Sequence, residues 1–351
     1  MKNRFTTRNS NIELLRIITM IMIIVLHYFN NGGVLDAIRQ TSVNYHITWI
    51  LESVCYCSVN CYILISGYFL ADKEDYNYKK IIDIVLQVLF YSLGLYLLFC
   101  CVGLVDFNIK TMITGFMFPI IHGEYWYATV FIVSVFAVPY IGKLTNQLDK
   151  NEFKKLLIVF GIIFSVIPTV VFFAGNTIGL KDGYSLIWFV YLYFVAGYIK
   201  KFQIQCPKRI LVIGIIIFSL IPFFVKLFQQ TVLGTEYWNF YKYNSLPVLG
   251  SSLCWFLLFI SFKKRKNLLI NVVASTTFGI FLFHTQYIMR DYLLWGKIIK
   301  PTFYMKESTG KYVIHIICSV LLIFIVGVVV DLIRSFIFTS IKGIHKHFSK
   351  D

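Results

Sequence analysis

The chain reads as an all-α integral membrane protein of about ten transmembrane helices with both termini in the cytoplasm. Three observations predict this. Apolar runs long enough to cross a bilayer recur along its 351 residues, and a lipid-spanning helix needs about 20 such residues. The composition is 58% hydrophobic and only 14% charged. The basic residues are also unevenly distributed between alternate connections. Runs of this length exclude an outer-membrane barrel, whose strands are about ten residues long and alternate in polarity.

The predicted spans are 11–29, 46–70, 79–105, 124–142, 153–174, 184–199, 210–228, 243–262, 272–294 and 311–338. With the N-terminus inside, the inner segments hold 21 Lys and Arg and the outer segments seven. That bias sets orientation. The formal charge of +16 is therefore a topology signal rather than a nucleic-acid footprint. Attraction to anionic inner-leaflet lipid follows from it. The longest connections, 30–45, 106–123 and 295–310, are all expected outside, and the inner ones are short and basic, as in KKRKN. There is no internal repeat, so residues 1–351 form a single multi-pass domain.

Span by span, the first run follows Lys2, Arg4 and Arg8 and resembles a signal peptide in position. Its length, the embedded Arg16 and the lack of a small-residue cleavage site predict a retained anchor helix. Pro119, Pro139, Pro168 and Pro222 end or kink their spans. Trp126, Trp188, Trp238 and Trp295 fall near predicted interfaces, where amphipathic rings anchor helices. Seven of the eight cysteines lie in spans. Cys57 and Cys61 share a helix face, but no metal-ligand set surrounds them, so small buried apolar residues are expected and no metal site.

Arg16 and His27 are the most informative residues. Ionisable side chains inside a lipid-spanning helix are costly and usually face a protein interior or a wet path. Eleven residues apart, they share nearly one helix face, about 16 Å apart along the axis. Glu13, three residues before Arg16, pairs with it across one turn. Singly, Arg16 reads as a snorkelling residue and His27 as an interfacial one. Their common face favours one polar cavity, and imidazole is suited to removing a hydroxyl proton near neutral pH.

An Arg, ten intervening residues and a His in the first span resemble the signature of the acyltransferase 3 family of integral-membrane acyltransferases. VNCYILISGYFL (59–70), EYWYATVFIVSVFAVPYIGKL (124–144) and FGIFLFHTQYIMRDYLLW (278–295) are similar to later blocks of that family, in the expected order. The resemblance implies transfer of an acyl group, commonly acetyl from acetyl-CoA, to a hydroxyl of a cell-envelope glycan or a small molecule. It implies His27 as the catalytic residue, with Arg16 supporting donor binding or charge stabilisation. The chain departs from some polysaccharide-modifying members in lacking an Arg-x-x-Arg pair. No esterase-like domain is appended within these 351 residues, so no second catalytic centre is expected.

Further candidates are weaker. His284 and Arg290, on one predicted span but about 120° apart, line one broad cavity or sit near its outer end. Glu124 and Trp126 suit a sugar, by hydrogen bond and by stacking, or an interface anchor. Asn60 and Ser66 are substrate contacts or interhelical glue. Glu52 and Asp83 are expected to pair with neighbouring helices, and Asp331 with Arg334 as a structural one-turn pair.

The expected course has the acyl-CoA nucleotide on the basic cytoplasmic side, with Arg16, supported by Glu13, or inner-loop lysines on its phosphates. The thioester then reaches up the cavity to His27, which acts as base or carries the acyl group itself. The acceptor is an extracytoplasmic glycan or lipid-linked glycan at the bacterial cytoplasmic membrane. Two competitors come from other classes. A glycan-lipid flippase would use Arg16 and His27 as anion site and proton relay, but the chain lacks paired broken spans in matching halves. A glycan polymerase would carry a large charged outer loop.

Overall fold

The computed structural model describes residues 8–119, 125–171, 178–235 and 239–348, the last seven by backbone alone. Every element among them is helical. In chain order they are α1 (Ser10–Phe29), α2 (Val43–Cys55), α3 (Ser58–Leu70), α4 (Lys79–Cys101), α5 (Trp126–Gln147) and α6 (Lys150–Val170). There follow α7 (Leu186–Lys201), α8 (Lys208–Leu233), α9 (Leu246–Ile260), α10 (Leu268–Ser275), α11 (Thr277–Thr285), α12 (Met289–Ile299) and α13 (Thr309–Phe348). Among the described residues, eight helical segments are long and apolar enough to cross a membrane, with α2–α3 and α10–α11 each counting as one. At 16 and 15 residues, α7 and α9 fall short of that length.

Burial separates the centre from the rim. In α1 and in α10–α11, 61% of the apolar window is buried, against 17% in α6 and 28% in α13. α1 packs against α2, α3, α9, α10, α11 and α13 and is the hub of the bundle. The rim helices turn apolar stripes outward: Ile210, Ile213, Ile217 and Phe224 on α8, and Ile314, Ile317, Leu321 and Ile325 on α13. Stripes at three- and four-residue spacing that face away from the protein are the surface lipid covers.

Polar fastenings gather at one end, here called the basic end. The Ser10 hydroxyl donates to Asn271 Oδ1 at 2.8 Å and accepts from the Asn267 amide at 2.7 Å, tying the start of α1 to α10. Asn11 Nδ2 reaches the Lys263 carbonyl at 2.9 Å, just past α9. Lys201 Nζ donates to the carbonyls of Thr145, Asn146 and Leu148, each at 2.8 Å, so the last residue of α7 caps the open C-terminus of α5. Lys200 pairs with Asp72 at 2.7 Å. At 1.5 Å per residue α7 and α9 are about 24 and 22 Å long, less than the roughly 30 Å of a hydrocarbon core.

Several predicted features differ from what is observed. The span 272–294 is not one helix: it steps at Thr276 and breaks at Gln286, whose backbone is extended (φ −57°, ψ 133°) and whose Oε1 accepts the Met289 amide at 2.9 Å. Trp188 and Trp295 are buried rather than interfacial, because each sits on the inward face of its helix. Trp238 lies outside the described residues. Cys55, Cys57 and Cys61 are buried as expected, whereas Cys101 and Cys318 are exposed on the rim.

Pro168 shows how a local irregularity positions distant chain. Lacking an N–H, it leaves the Phe164 carbonyl without its helical donor, and Asn244 Nδ2 fills that place at 3.0 Å. The Thr169 hydroxyl accepts the Leu246 amide at 2.8 Å, so α6 anchors the segment that leads into α9.

α3 and α7 meet at Gly67. A Cβ there would stand 2.9 Å from the Tyr193 Cα and 3.1 Å from the Ala196 Cβ. Small residues permit this backbone approach in a bundle where apolar burial alone gives no selectivity. Gly67→Ala is expected to cost about 1–3 kcal/mol by overpacking. Gly94→Ala in α4, where no atom lies within 4 Å, is expected to be neutral or mildly stabilising. Thermal melts of the detergent-solubilised protein followed by size exclusion check the pair.

Candidate active site

One cavity of about 790 Å³ follows α1 from end to end. Arg16, Met20, Ile23 and His27 line it at spacings of four, three and four residues, which is one helical stripe. Arg8, Lys80 and Arg334 join Arg16 at the basic end, and Asn30, Asn31 and Arg290 line the far end. Among the described residues, the two ionisable groups singled out in the first span therefore face a single void.

At the basic end a buried carboxylate is held between two guanidiniums. Glu13 Oε2 accepts from Arg16 Nη1 at 2.9 Å, and its Oε1 lies 3.4 Å from Arg8 Nη1. Glu13 is 4% exposed and stands behind the wall, while both arginines line it. One negative charge between two positive ones leaves the cluster net cationic toward the cavity, and it fixes the Arg16 rotamer. Opposite them, Asp331 accepts from Arg334 Nε at 2.6 Å, from Tyr91 Oη at 2.8 Å and from Gln87 Nε2 at 3.1 Å. The expected one-turn pair exists, and both its members also line the cavity.

Near the far end, His27 Nδ1 and His284 Nε2 are 2.8 Å apart. His284 Nδ1 is in turn 2.6 Å from the Ile280 carbonyl oxygen, one turn back in α11. A carbonyl can only accept, so His284 carries its proton on Nδ1. In the neutral ring its Nε2 is then an acceptor, and His27 must donate from Nδ1. That leaves the lone pair of His27 on Nε2. His284 is fully buried and does not line the cavity, whereas His27 does. The arrangement is a base held in one tautomer by a second ring behind it.

The break at Gln286 explains the positions of the other candidates. The face angle between His284 and Arg290 presumes a continuous helix, which α11 and α12 do not form. His284 instead backs His27, and Arg290 lines the far end with its guanidinium on Asp291 at 2.6 and 2.9 Å. Trp126 lines the cavity. Ser66 does too, its hydroxyl donating to the Tyr62 carbonyl at 3.0 Å. Asn60 does not: it is fully buried, donates to the Tyr243 carbonyl at 2.7 Å and accepts from Trp188 Nε1 at 2.9 Å, so it fastens three segments together. Glu124 lies outside the described residues. Among those described, no group of three His, Cys, Asp or Glu could hold a metal ion.

Sequence reasoning missed the tyrosines of this wall. Tyr56, Tyr184 and Tyr243 line the cavity beside Trp126, and so does Glu52. Glu52, expected to pair with a neighbouring helix, has no ion-pair partner among the described residues, and its Oε2 is buried without a hydrogen bond. Its position in an apolar run was the available signal. The tyrosines sit in connections that carry no recognisable motif.

Against known proteins, a family model described as an acyltransferase domain matches residues 9–332. No curated protein and no solved structure matches the chain.

The tautomer assignment is directly measurable. In protein labelled with ring-¹⁵N histidine, His27 and His284 should both show a protonated Nδ1 and a bare Nε2. In His284→Ala, the His27 signals should shift to a mixture of tautomers.

Proposed function

Because the chain belongs to the acyltransferase 3 family of membrane acyltransferases, we propose that it moves an acetyl group from cytoplasmic acetyl-CoA to a hydroxyl of an extracytoplasmic envelope glycan or exopolysaccharide. The observation that carries this is the His27 ring, tautomer-fixed by His284, on the wall of a cavity that has a cationic mouth at its other end. The basic end is taken as cytoplasmic by the positive-inside bias. On this reading α7 and α9 are also crossings, for ten spans with both termini on the cytoplasmic side of a bacterial cytoplasmic membrane.

Arg16 and Arg8, with Lys80 and Arg334 near them, suit the phosphates of the coenzyme as charge-assisted donors. The stripe between Arg16 and His27, about 16 Å long, is mostly apolar and matches a thin uncharged arm that carries the thioester. At the far end, His27 Nε2 takes the proton of the acceptor hydroxyl. The oxygen forms its bond to the thioester carbon, the carbon–sulfur bond breaks, and the imidazolium returns the proton to the leaving thiolate. His284, accepting from His27 Nδ1, stabilises the charge while it lasts. The same nitrogen also suits a two-step route in which it holds the acetyl group first. Radiolabel trapped on the protein without acceptor, and absent in His27→Ala, selects that route. A glycan-lipid flippase finds no support in the family assignment.

Transfer is measured with purified protein, labelled acetyl-CoA and envelope glycan, with proton NMR of the product for ester-linked acetyl. His27→Ala is expected to lower the rate by about 10²–10⁴-fold, and Arg16→Ala to raise KM for acetyl-CoA more than it lowers kcat. Full activity in His27→Ala would overturn the proposal.

A further inference from the structure

The far part of the cavity holds a feature that coenzyme binding and proton transfer leave unused. Glu52 is 4% exposed, lines the cavity and has a buried Oε2 with no hydrogen-bond partner. Leaving a buried carboxyl oxygen unmatched is costly, and such a group points to a donor supplied from outside. Tyr56 lies one turn on, its amide 3.0 Å from the Glu52 carbonyl, so both side chains share a helix face.

From that face an aromatic wall continues. Tyr56 and Tyr243 have ring centroids 5.0 Å apart, Tyr243 and Tyr184 4.8 Å, and Tyr184 and Trp126 4.4 Å. Trp126 and Tyr243 are stacked at 6.0 Å with 22° between their planes. The rings contact one another at tilts of 35–54°, a continuous aromatic wall with no enclosure for a cation between them. The wall is built, not incidental. The Tyr243 amide donates to the Asp182 carbonyl at 3.0 Å, its carbonyl accepts from Asn60, and Asn244 caps the Phe164 carbonyl. Gly183, at φ +93°, lets Tyr184 approach, because a Cβ there would stand 2.6 Å from the Tyr243 Cβ. Tyr184 and Tyr243, in the segments that lead into α7 and α9, line the same cavity as Glu52, and Tyr184 is 39% exposed.

We infer that Glu52 and the Tyr56–Tyr243–Tyr184–Trp126 wall form the acceptor subsite and take one pyranose ring, its C–H face on the aromatic rings and its hydroxyls hydrogen-bonded to the Glu52 carboxyl group. This rests on the acyl-transfer function proposed above and adds where and how the acceptor is held. It makes Glu52 a binding residue, separate from the proton-transfer pair. Glu52→Gln keeps shape and volume but replaces one carboxyl oxygen by an NH₂ group that cannot accept.

The test is saturation-transfer NMR on the full chain in detergent micelles, with methyl glycosides of glucose, galactose, rhamnose and N-acetylglucosamine as probes and tetramethylammonium as the cation control. At least one glycoside should show transfer to its ring C–H protons. The signal should weaken at least tenfold in Glu52→Gln and in Tyr184→Ala, and persist in His27→Ala. No transfer to any glycoside, transfer unchanged in both variants, or transfer to tetramethylammonium alone would each overturn the subsite. Thermal melts of Glu52→Gln equal to those of the parent exclude loss by misfolding. Sugar transfer signals retained by a protein without acetyl transfer would sink the reaction and keep the subsite; the reverse pattern would sink the subsite alone.

Discussion

A single hydrogen bond between a buried ring and one on the cavity wall organises this molecule. His27 comes from α1 and His284 from α11, segments 257 residues apart in the chain. Their contact exists only because α10 and α11 are packed along the hub helix. Buried behind the wall, His284 cannot leave a polar nitrogen unmatched at low cost. The Ile280 carbonyl settles the first proton, the second follows, and a lone pair remains on the one ring that faces open space. The local turn of α11 therefore determines which nitrogen of α1 is basic.

The basic end obeys the same economy of charge. Glu13 and Asp331 are buried carboxylates, and each is matched by arginine from its own helix. Asp331 has further donors from α4, which binds the rim helix α13 to the wall. Arg16 and Arg334 are thus held in position before any ligand arrives. Preorganised charge of this kind loses little on binding an anion, because no side-chain rotamer remains to be fixed.

Much of this was legible from residues alone, for stated reasons. Apolar runs and the lysine bias encode spans, since length and charge are the quantities a bilayer sorts. The stripe from Arg16 to His27 was readable because an unbroken helix makes spacing into geometry. The relation of His284 to Arg290 was not legible, because their span breaks between them at Gln286, a residue whose side chain substitutes for the next helix's missing backbone acceptor. The step at Tyr56 and Cys57 hid Tyr56 in the same way. Asn60 looked equally suited to substrate or to glue, and only the contacts with Trp188 and Tyr243 separate the two. Tyr184 and Tyr243 come together across a fold, and nothing within either segment announces the other.

The short helices α7 and α9 have a consequence for how the protein sits in lipid. At 16 and 15 residues they are shorter than a bilayer's hydrocarbon core is thick. A bilayer that meets them must thin locally, or the chain that leads into them must supply the missing depth, and that chain carries Tyr184 and Tyr243. Bilayer thickness thereby becomes a variable that acts on the cavity wall.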